Sequence, residues 1–279
     1  MIPLKETNIS DDLEDITLIQ ESLQGSKTSL EKLLSRHRDF IYNLSLRMFL
    51  DPDDASDATQ DILIKIITSL QNFQGKSKFR TWLYRIVVNH FLNSEKRKME
   101  HWIDSSKEIY EIKSPPANEE LFQEDTIEEV RILCSTAMLM CLNREQRLLY
   151  ILSEVFEINH SLGAELFQIS KGNYRIKLHR AKSDLLEFVS GRCGLIDEKN
   201  PCRCKKKTTA LIREGKVNPN NLKFNSDYTQ NIQEILTKER IDTSYKIRIE
   251  LKDLFQDSPY FIKQKIDNML ENLVKVDHF

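Results

Sequence analysis

The sequence predicts an all-α protein, and three observations carry that expectation. Among 279 residues there are only seven Gly and seven Pro, while Leu, Ile, Lys and Glu, which lose little freedom in a helix, fill long stretches. Apolar residues recur at helical spacing in several windows. Between those windows stand helix-start signals. The clearest is Asp51-Pro52-Asp53-Asp54, an Asp cap, a Pro at the first helical position and acids in the first turn. At this length one large or two to three small domains are expected. A composition of 40% hydrophobic and 30% charged residues fits ordinary soluble cores. No uncharged apolar run approaches the roughly 18 residues of a spanning helix, and Met1 to Ile16 is acidic without an apolar signal region. A cytoplasmic location and no membrane partner are expected. Five cysteines, an odd number, argue against a secreted disulfide scaffold.

Taken in order, the chain begins with an acidic segment, 1–28. A first helical domain is placed at 29–100. Its first helix covers Ser29 to Phe49, with Leu30, Leu33, Leu34, Ile41, Leu44 and Met48 as the apolar set. The helix after Asp51 runs to about Leu70, with Ala55, Ala58, Ile62, Ile66 and Leu70 inward and Asp57, Gln60, Asp61, Ile64 and Lys65 on other faces. A polar loop, Gln71 to Lys78, leads to a helix capped by Thr81 and buried through Leu83, Ile86, Val87 and Phe91. Residues 101–125 are acidic with Pro115-Pro116, a linker by composition. A second domain, 126–190, holds helices over Thr126 to Cys141, from an Asn143 cap through Phe156, over Leu162 to Phe167, and from an Asn173 cap to Val189, with a tight turn at Ile169 to Gly172. A short helix, a turn and a longer basic helix make a helix-turn-helix pattern. A Cys/Lys-rich segment, 191–207, and a helical C-terminal extension, 208–279, with helices near Tyr228 to Leu254 and Pro259 to Val276, complete the order.

The net charge of −2 hides a pattern. Lys76 to Glu100 carries seven Lys/Arg against two Asp/Glu, and Lys171 to Lys182 carries five basic residues and no acid. Between them, Asp104 to Val130 carries nine acids against two bases. Two basic islands separated by an acidic stretch suggest two separate anionic contacts. The first island, Phe79 to Lys98, interleaves cations with rings, which suits a nucleic acid because cations meet phosphates and rings stack on bases. No nucleophile–base pair, Gly-rich phosphate loop or carboxylate constellation points to an enzyme, and no cofactor is implied.

Two motifs then carry a resemblance. Asp57 to Ile66, DATQDILIKI, and Phe79 to Asn89, FRTWLYRIVVN, resemble region 2 of bacterial RNA polymerase sigma factors of the sigma-70 family, extracytoplasmic-function (ECF) subgroup. Leu178 to Lys182, LHRAK, resembles the end of that family's region 4 recognition helix. The resemblance implies a specificity subunit that binds polymerase core, directs it to a promoter and helps open the duplex. It places Asp57, Gln60, Asp61 and Lys65 on the clamp helices of the β′ subunit. It assigns Asn72, Lys78, Arg80, Trp82, Arg85, Asn89, His90, Asn93 and Arg97 to the −10 element, with the loop Gln71 to Lys78 where a base leaving the stack would be received. It assigns Lys171, Asn173, Tyr174, Arg175, Ile176, Lys177 and Arg180 to the major groove of the −35 element, Ile176 suiting a thymine methyl. Two departures stand out: Ser161-Leu162-Gly163-Ala164 where the family has E-E-I-A, and Asn173-Tyr174-Arg175-Ile176-Lys177 where T-V-K-S-R is common.

Plainer roles compete with these. Phe91 suits a core, Trp82 a ring with one edge exposed, and Lys96 to Lys98 a solvated helix end favoured by the macrodipole. Asp57 and Asp61 alone would pass for favourable acids near a helix start, and Arg175, Lys177 and Arg180 for a solvated face. Cys193, Cys202 and Cys204, spaced C-x8-C-x-C, lack the paired spacing of a zinc ribbon. Three reduced thiols compete there with a metal or redox site. The extension is compatible with masking the two domains in place of a separate anti-sigma factor, or with holding the polymerase or a partner, and the resemblance implies an anti-sigma factor as the alternative to self-inhibition. Two other functions fit less of the sequence: a stand-alone helix-turn-helix regulator, and a sigma-like protein that binds polymerase or a partner without reading a promoter.

Overall fold

The computed structural model describes residues 9–98, 100–101, 122–222 and 273, with side chains from Asp12 onward. Most of the acidic linker, most of the C-terminal extension and both helices expected in that extension lie outside the described residues. Among the described residues there are nine α-helices and no strand, so the all-α expectation holds. In chain order they are α1 (Ile9–Leu23), α2 (Lys27–Phe49), α3 (Pro52–Ser69), α4 (Phe79–Asn93), α5 (Glu124–Met138), α6 (Arg144–Tyr150), α7 (His160–Leu166), α8 (Lys171–Ser190) and α9 (Cys204–Arg213). None is long and apolar enough to cross a membrane. Within the described residues the chain forms two compact bodies, one of 9–95, 151–176 and 273, the other of 96–98, 100–101, 122–150 and 177–222.

In the first body the local signals act as the sequence predicts. The Ser26 hydroxyl accepts from the Ser29 N–H and starts α2. Leu50, in the left-handed region at φ 60°, ends it and returns its N–H to Leu46 O at 2.8 Å. Asp51 Oδ1 then accepts from the N–H groups of Asp53 (2.9 Å) and Asp54 (3.2 Å), with Pro52 at the first helical position. The apolar sets of α2 and α3 are buried throughout, Ala55, Ala58, Ile62, Ile66 and Leu70 completely. Helix α1 packs on α2 through Leu18 and Ile19 and through a buried carboxylate. Asp15 accepts from Arg36 Nε at 2.8 Å and faces His37 Nε2 at 3.4 Å. Burial pushes the Asp15 pKa up, but His37 and Arg36 outweigh it and leave it lowered.

Three details of the sequence reading are corrected. Thr81 does not cap α4, which begins at Phe79 after an extended Lys78 with no side-chain cap. Phe79 is itself buried against His37 and Phe73, so ring packing rather than a cap fixes this start. Ile86 is only half-buried, and Tyr84 and Val88 join Leu83, Val87 and Phe91 on the inner stripe. Asn173 does not cap α8. The helix begins two residues earlier, and Ser170 Oγ accepts from the Asn173 N–H at 3.2 Å. The turn before it bends at Gln168, in the left-handed region at φ 55°.

In the second body, Asn143 caps α6 as expected and does so reciprocally. Its Oδ1 accepts from Gln146 N at 2.9 Å, and Gln146 Oε1 accepts from Asn143 N at 3.2 Å, a capping box. The helix that the sequence extends to Phe156 changes pitch instead. Residues Ile151–Val155, which belong to the first body, form a π segment, closed by Phe156 N to Ile151 O at 3.0 Å. Helix α8 carries an inward row of Leu178, Ala181, Leu185 and Val189. Asn200 Nδ2 donates to Ser190 O (2.8 Å) and Cys193 O (2.9 Å), so one side chain folds the cysteine loop back on the end of α8. Helix α9 packs on α5.

Candidate polymerase and nucleic-acid interface

Helix α3 is divided by its own periodicity. With Ala55, Ala58, Ile62 and Ile66 turned inward, Asp57, Gln60, Asp61 and Lys65 are all exposed and share the outer side of the helix. Lys65 also reaches α4, its Nζ lying 3.0 Å from His90 Nδ1. An ammonium can only donate, so the ring nitrogen accepts.

The loop and α4 form the neighbouring surface. Phe73, Phe79 and Trp82 make a ring cluster with centroids 5.4–5.5 Å apart, Phe79 and Trp82 stacked at 28°. Phe79 is buried, whereas Phe73 and Trp82 are half-buried, and exposed Asn72 and Lys78 stand beside them. Such a cluster holds one ring face rigid at a surface, which is what base stacking needs. Phe73 was not among the sequence candidates, although a lone aromatic in a polar loop is a readable signal. Asn89 and Asn93 are exposed along α4, and Arg80, Arg85 and Arg97 are half-buried. His90 is withdrawn from this set. It is 5% exposed, edge-on to Phe91, and its Nδ1 is taken by Lys65.

Two of these cations already have carboxylate partners. Lys78 Nζ lies 2.7 Å from Asp12 Oδ2, and Arg85 Nη2 lies 2.6 Å from Glu165 Oε1 on α7. Neither acid was anticipated, because both partners are far away in sequence. The Arg85–Glu165 pair is well exposed on both sides, so it contributes at most about 1 kcal/mol.

On α8, Lys171, Asn173, Arg175, Ile176 and Arg180 are exposed, Ile176 at 54%. Lys177 is half-buried and paired with Glu145 Oε1 at 2.8 Å. Tyr174 is corrected: it is fully buried, its hydroxyl lies 2.6 Å from Ser153 Oγ, and burial pushes its pKa up to about 12. Its ring meets His160 and Phe167. An added Cβ at Gly163 would fall 2.2 Å from Tyr174 Cζ, so the glycine makes room for the ring.

Residues 33–100 match the family model for sigma-70 region 2. The chain is 27% identical over 169 residues to the ECF RNA polymerase sigma factor SigE of Mycolicibacterium smegmatis, covering 60% of this chain and 64% of that protein. It is 33% identical over 93 residues to the ECF RNA polymerase sigma-E factor of Haemophilus influenzae, covering 32% and 49%. With SigW of Bacillus subtilis it shares 23% identity over 172 residues, 60% of this chain and 92% of that one. The chain thus spans about half to two thirds of the first two relatives. The region 2 match lies on α2 to α4, the helices that carry the exposed acidic face and the ring cluster, and over these helices the chain is similar to sigma-70 region 2 and to ECF RNA polymerase sigma factors.

Proposed function

We propose that the protein is a sigma factor that binds RNA polymerase core and directs promoter recognition and duplex opening, without enzymatic activity of its own. The observation that supports this most is the pairing, inside the region 2 match, of an exposed acidic helix face with a ring-bearing basic surface. A stand-alone DNA reader has no use for Asp57 and Asp61 beside Lys78 and Trp82. In this proposal Asp57, Gln60, Asp61 and Lys65 meet the β′ clamp helices. Asn72, Lys78, Arg80, Trp82, Arg85, Asn89, Asn93 and Arg97, with Phe73 added, serve the −10 element. Lys171, Asn173, Arg175, Ile176, Lys177 and Arg180 serve the −35 element. Half-exposed rings fit an extruded base, since stacking supplies about 1–3 kcal/mol per base and offsets part of the unstacking cost.

The test is co-purification with core polymerase, followed by mapping of transcripts initiated on genomic DNA. Retention of the chain on core, with discrete start sites, is the expected result. A chain that fails to bind core removes the proposal. Asp61→Lys reverses a charge on the exposed face of α3 and is expected to weaken core binding by about tenfold, or about 1.4 kcal/mol, leaving the fold intact. Unchanged core affinity in that variant removes α3 as the contact. Glu165→Ala releases Arg85 from its carboxylate and is expected to raise affinity for −10 DNA by no more than about fivefold, the equivalent of about 1 kcal/mol. The gain should shrink with added salt, which a titration at two ionic strengths measures.

A further inference from the structure

We propose that Cys134, Cys193, Cys202 and Cys204 are the four ligands of a site for one thiophilic metal ion of the zinc class. The spacing of Cys193, Cys202 and Cys204 offers only three thiols. The fold brings a fourth, Cys134, from α5. All four line one cavity together with Arg131, Lys207, Leu195 and Ile196. Its volume is about 20 Å³, enough for a single water-sized occupant. Cys141, the fifth thiol, does not line it.

The cavity also brings two cations, Arg131 and Lys207, to the four thiols, and neighbouring donors and cations orient metal-bound thiolates and spread their charge. A divalent ion held by four thiolates carries a net charge of about −2. Arg131 and Lys207 line the cavity at 4% and 3% exposure, and buried cations call for anionic neighbours. Arg131 meets Glu124 and Glu128 on its own helix, and Lys207 lines the cavity beside the four cysteines. The backbone is fitted as closely as the side chains. A Cβ at Gly194 would fall 2.1 Å from Cys202 O, so only glycine lets the Cys193 and Cys202 segments pass this near each other.

Among the described residues no three thiols already stand in metal-binding arrangement. Binding therefore requires the thiols to turn toward a common centre. The ion would fasten the cysteine loop and the start of α9 to α5.

The test uses the full chain, reduced, stripped with chelator and then freed of it, titrated with cobalt(II) alone. One equivalent should bind with the intense thiolate-to-metal absorption and the visible bands of tetrahedral cobalt, and zinc(II) should bleach both. The zinc-loaded chain should melt at a higher temperature than the stripped chain. Cys134→Ser and Cys202→Ser should each lose the four-thiolate spectrum, while Cys141→Ser keeps it. The wild-type titration stands even if a ligand variant folds poorly. Absence of cobalt binding, binding without the thiolate band, or an unchanged spectrum in Cys134→Ser overturns the site. None of these outcomes depends on whether the protein acts as a sigma factor.

Discussion

Glu100→Ala is expected to destabilise the second body by about 3–5 kcal/mol, the cost of removing one partner from a buried ion pair. Glu100 is 5% exposed. Its carboxylate accepts from Arg97 N at 3.1 Å, from Arg144 Nε at 3.1 Å, and from the Nη2 groups of both Arg144 and Arg147. Arg147 is itself 3% exposed, so the substitution takes a carboxylate away from a guanidinium that water scarcely reaches. Burial alone would raise the Glu100 pKa. The hydrogen bond from Arg144 and the charge of Arg147 outweigh it, so the carboxyl is held below its ordinary range. A lowered folded-state pKa gives stability that is fully present above the unfolded-state value, near 4.3 for glutamate, and is lost as pH falls through the folded value. Wild-type stability should therefore fall below about pH 4, and the variant should lack that component of the fall. Urea unfolding at neutral pH and at acid pH measures both. A variant within about 0.5 kcal/mol of wild type, the ordinary scatter of surface substitutions, would show that the clamp contributes nothing.

Glu100 also shows what the sequence could and could not disclose. Its guanidinium partners lie 44 and 47 residues away, and no local pattern marks them. The same holds for the Arg85–Glu165 pair, 80 residues apart, for Asp12 beside Lys78, and for Cys134 beside the cysteine loop. Legible features were those whose physics is local. Asp51 and Asn143 cap within three residues of themselves, and the 3.6-residue period of α3 alone predicts which side Asp57 and Asp61 occupy. Thr81 and Asn173 misled because a capping residue type is common and ring packing or an earlier serine can set the start instead. His90 and Tyr174 misled for a related reason. A polar aromatic inside a basic helix reads as a ligand contact until its partner, Lys65 or Ser153, is seen to hold it inward.

Tyr174 carries the second large expectation, because it joins two departures from the sigma-70 pattern into one. At Gly163 the family resemblance leads to a larger apolar residue, and at Tyr174 to a valine. Here the large and small residues have changed places, and the Tyr174 ring occupies the room that a side chain at 163 would fill. Gly163→Ala should gain about 1 kcal/mol of helix propensity, yet its methyl meets a ring pinned by Ser153, His160 and Phe167. Overpacking of that kind costs about 1–3 kcal/mol and occasionally more, so a net loss of up to about 2 kcal/mol is expected. Tyr174→Val alone should cost about 3 kcal/mol for the lost ring, with a further loss for the Ser153 hydroxyl left without its partner. Combined, the two substitutions should cost less than their sum by at least about 1 kcal/mol, the signature of residues that share one space. Chemical unfolding of the four proteins in the cycle measures that difference, and strict additivity would refute the exchange. The consequence reaches the proposed −35 contacts. Tyr174 anchors the first turns of α8, so Arg175 and Ile176 face outward because the ring beside them is held inward. The stretch that departs most from the family pattern is thus a repacked core position, and its outward row of Lys171, Asn173, Arg175, Ile176 and Arg180 remains presented. A loss of −35 binding in Gly163→Ala that is restored in the double variant would tie that presentation to the packing beneath it.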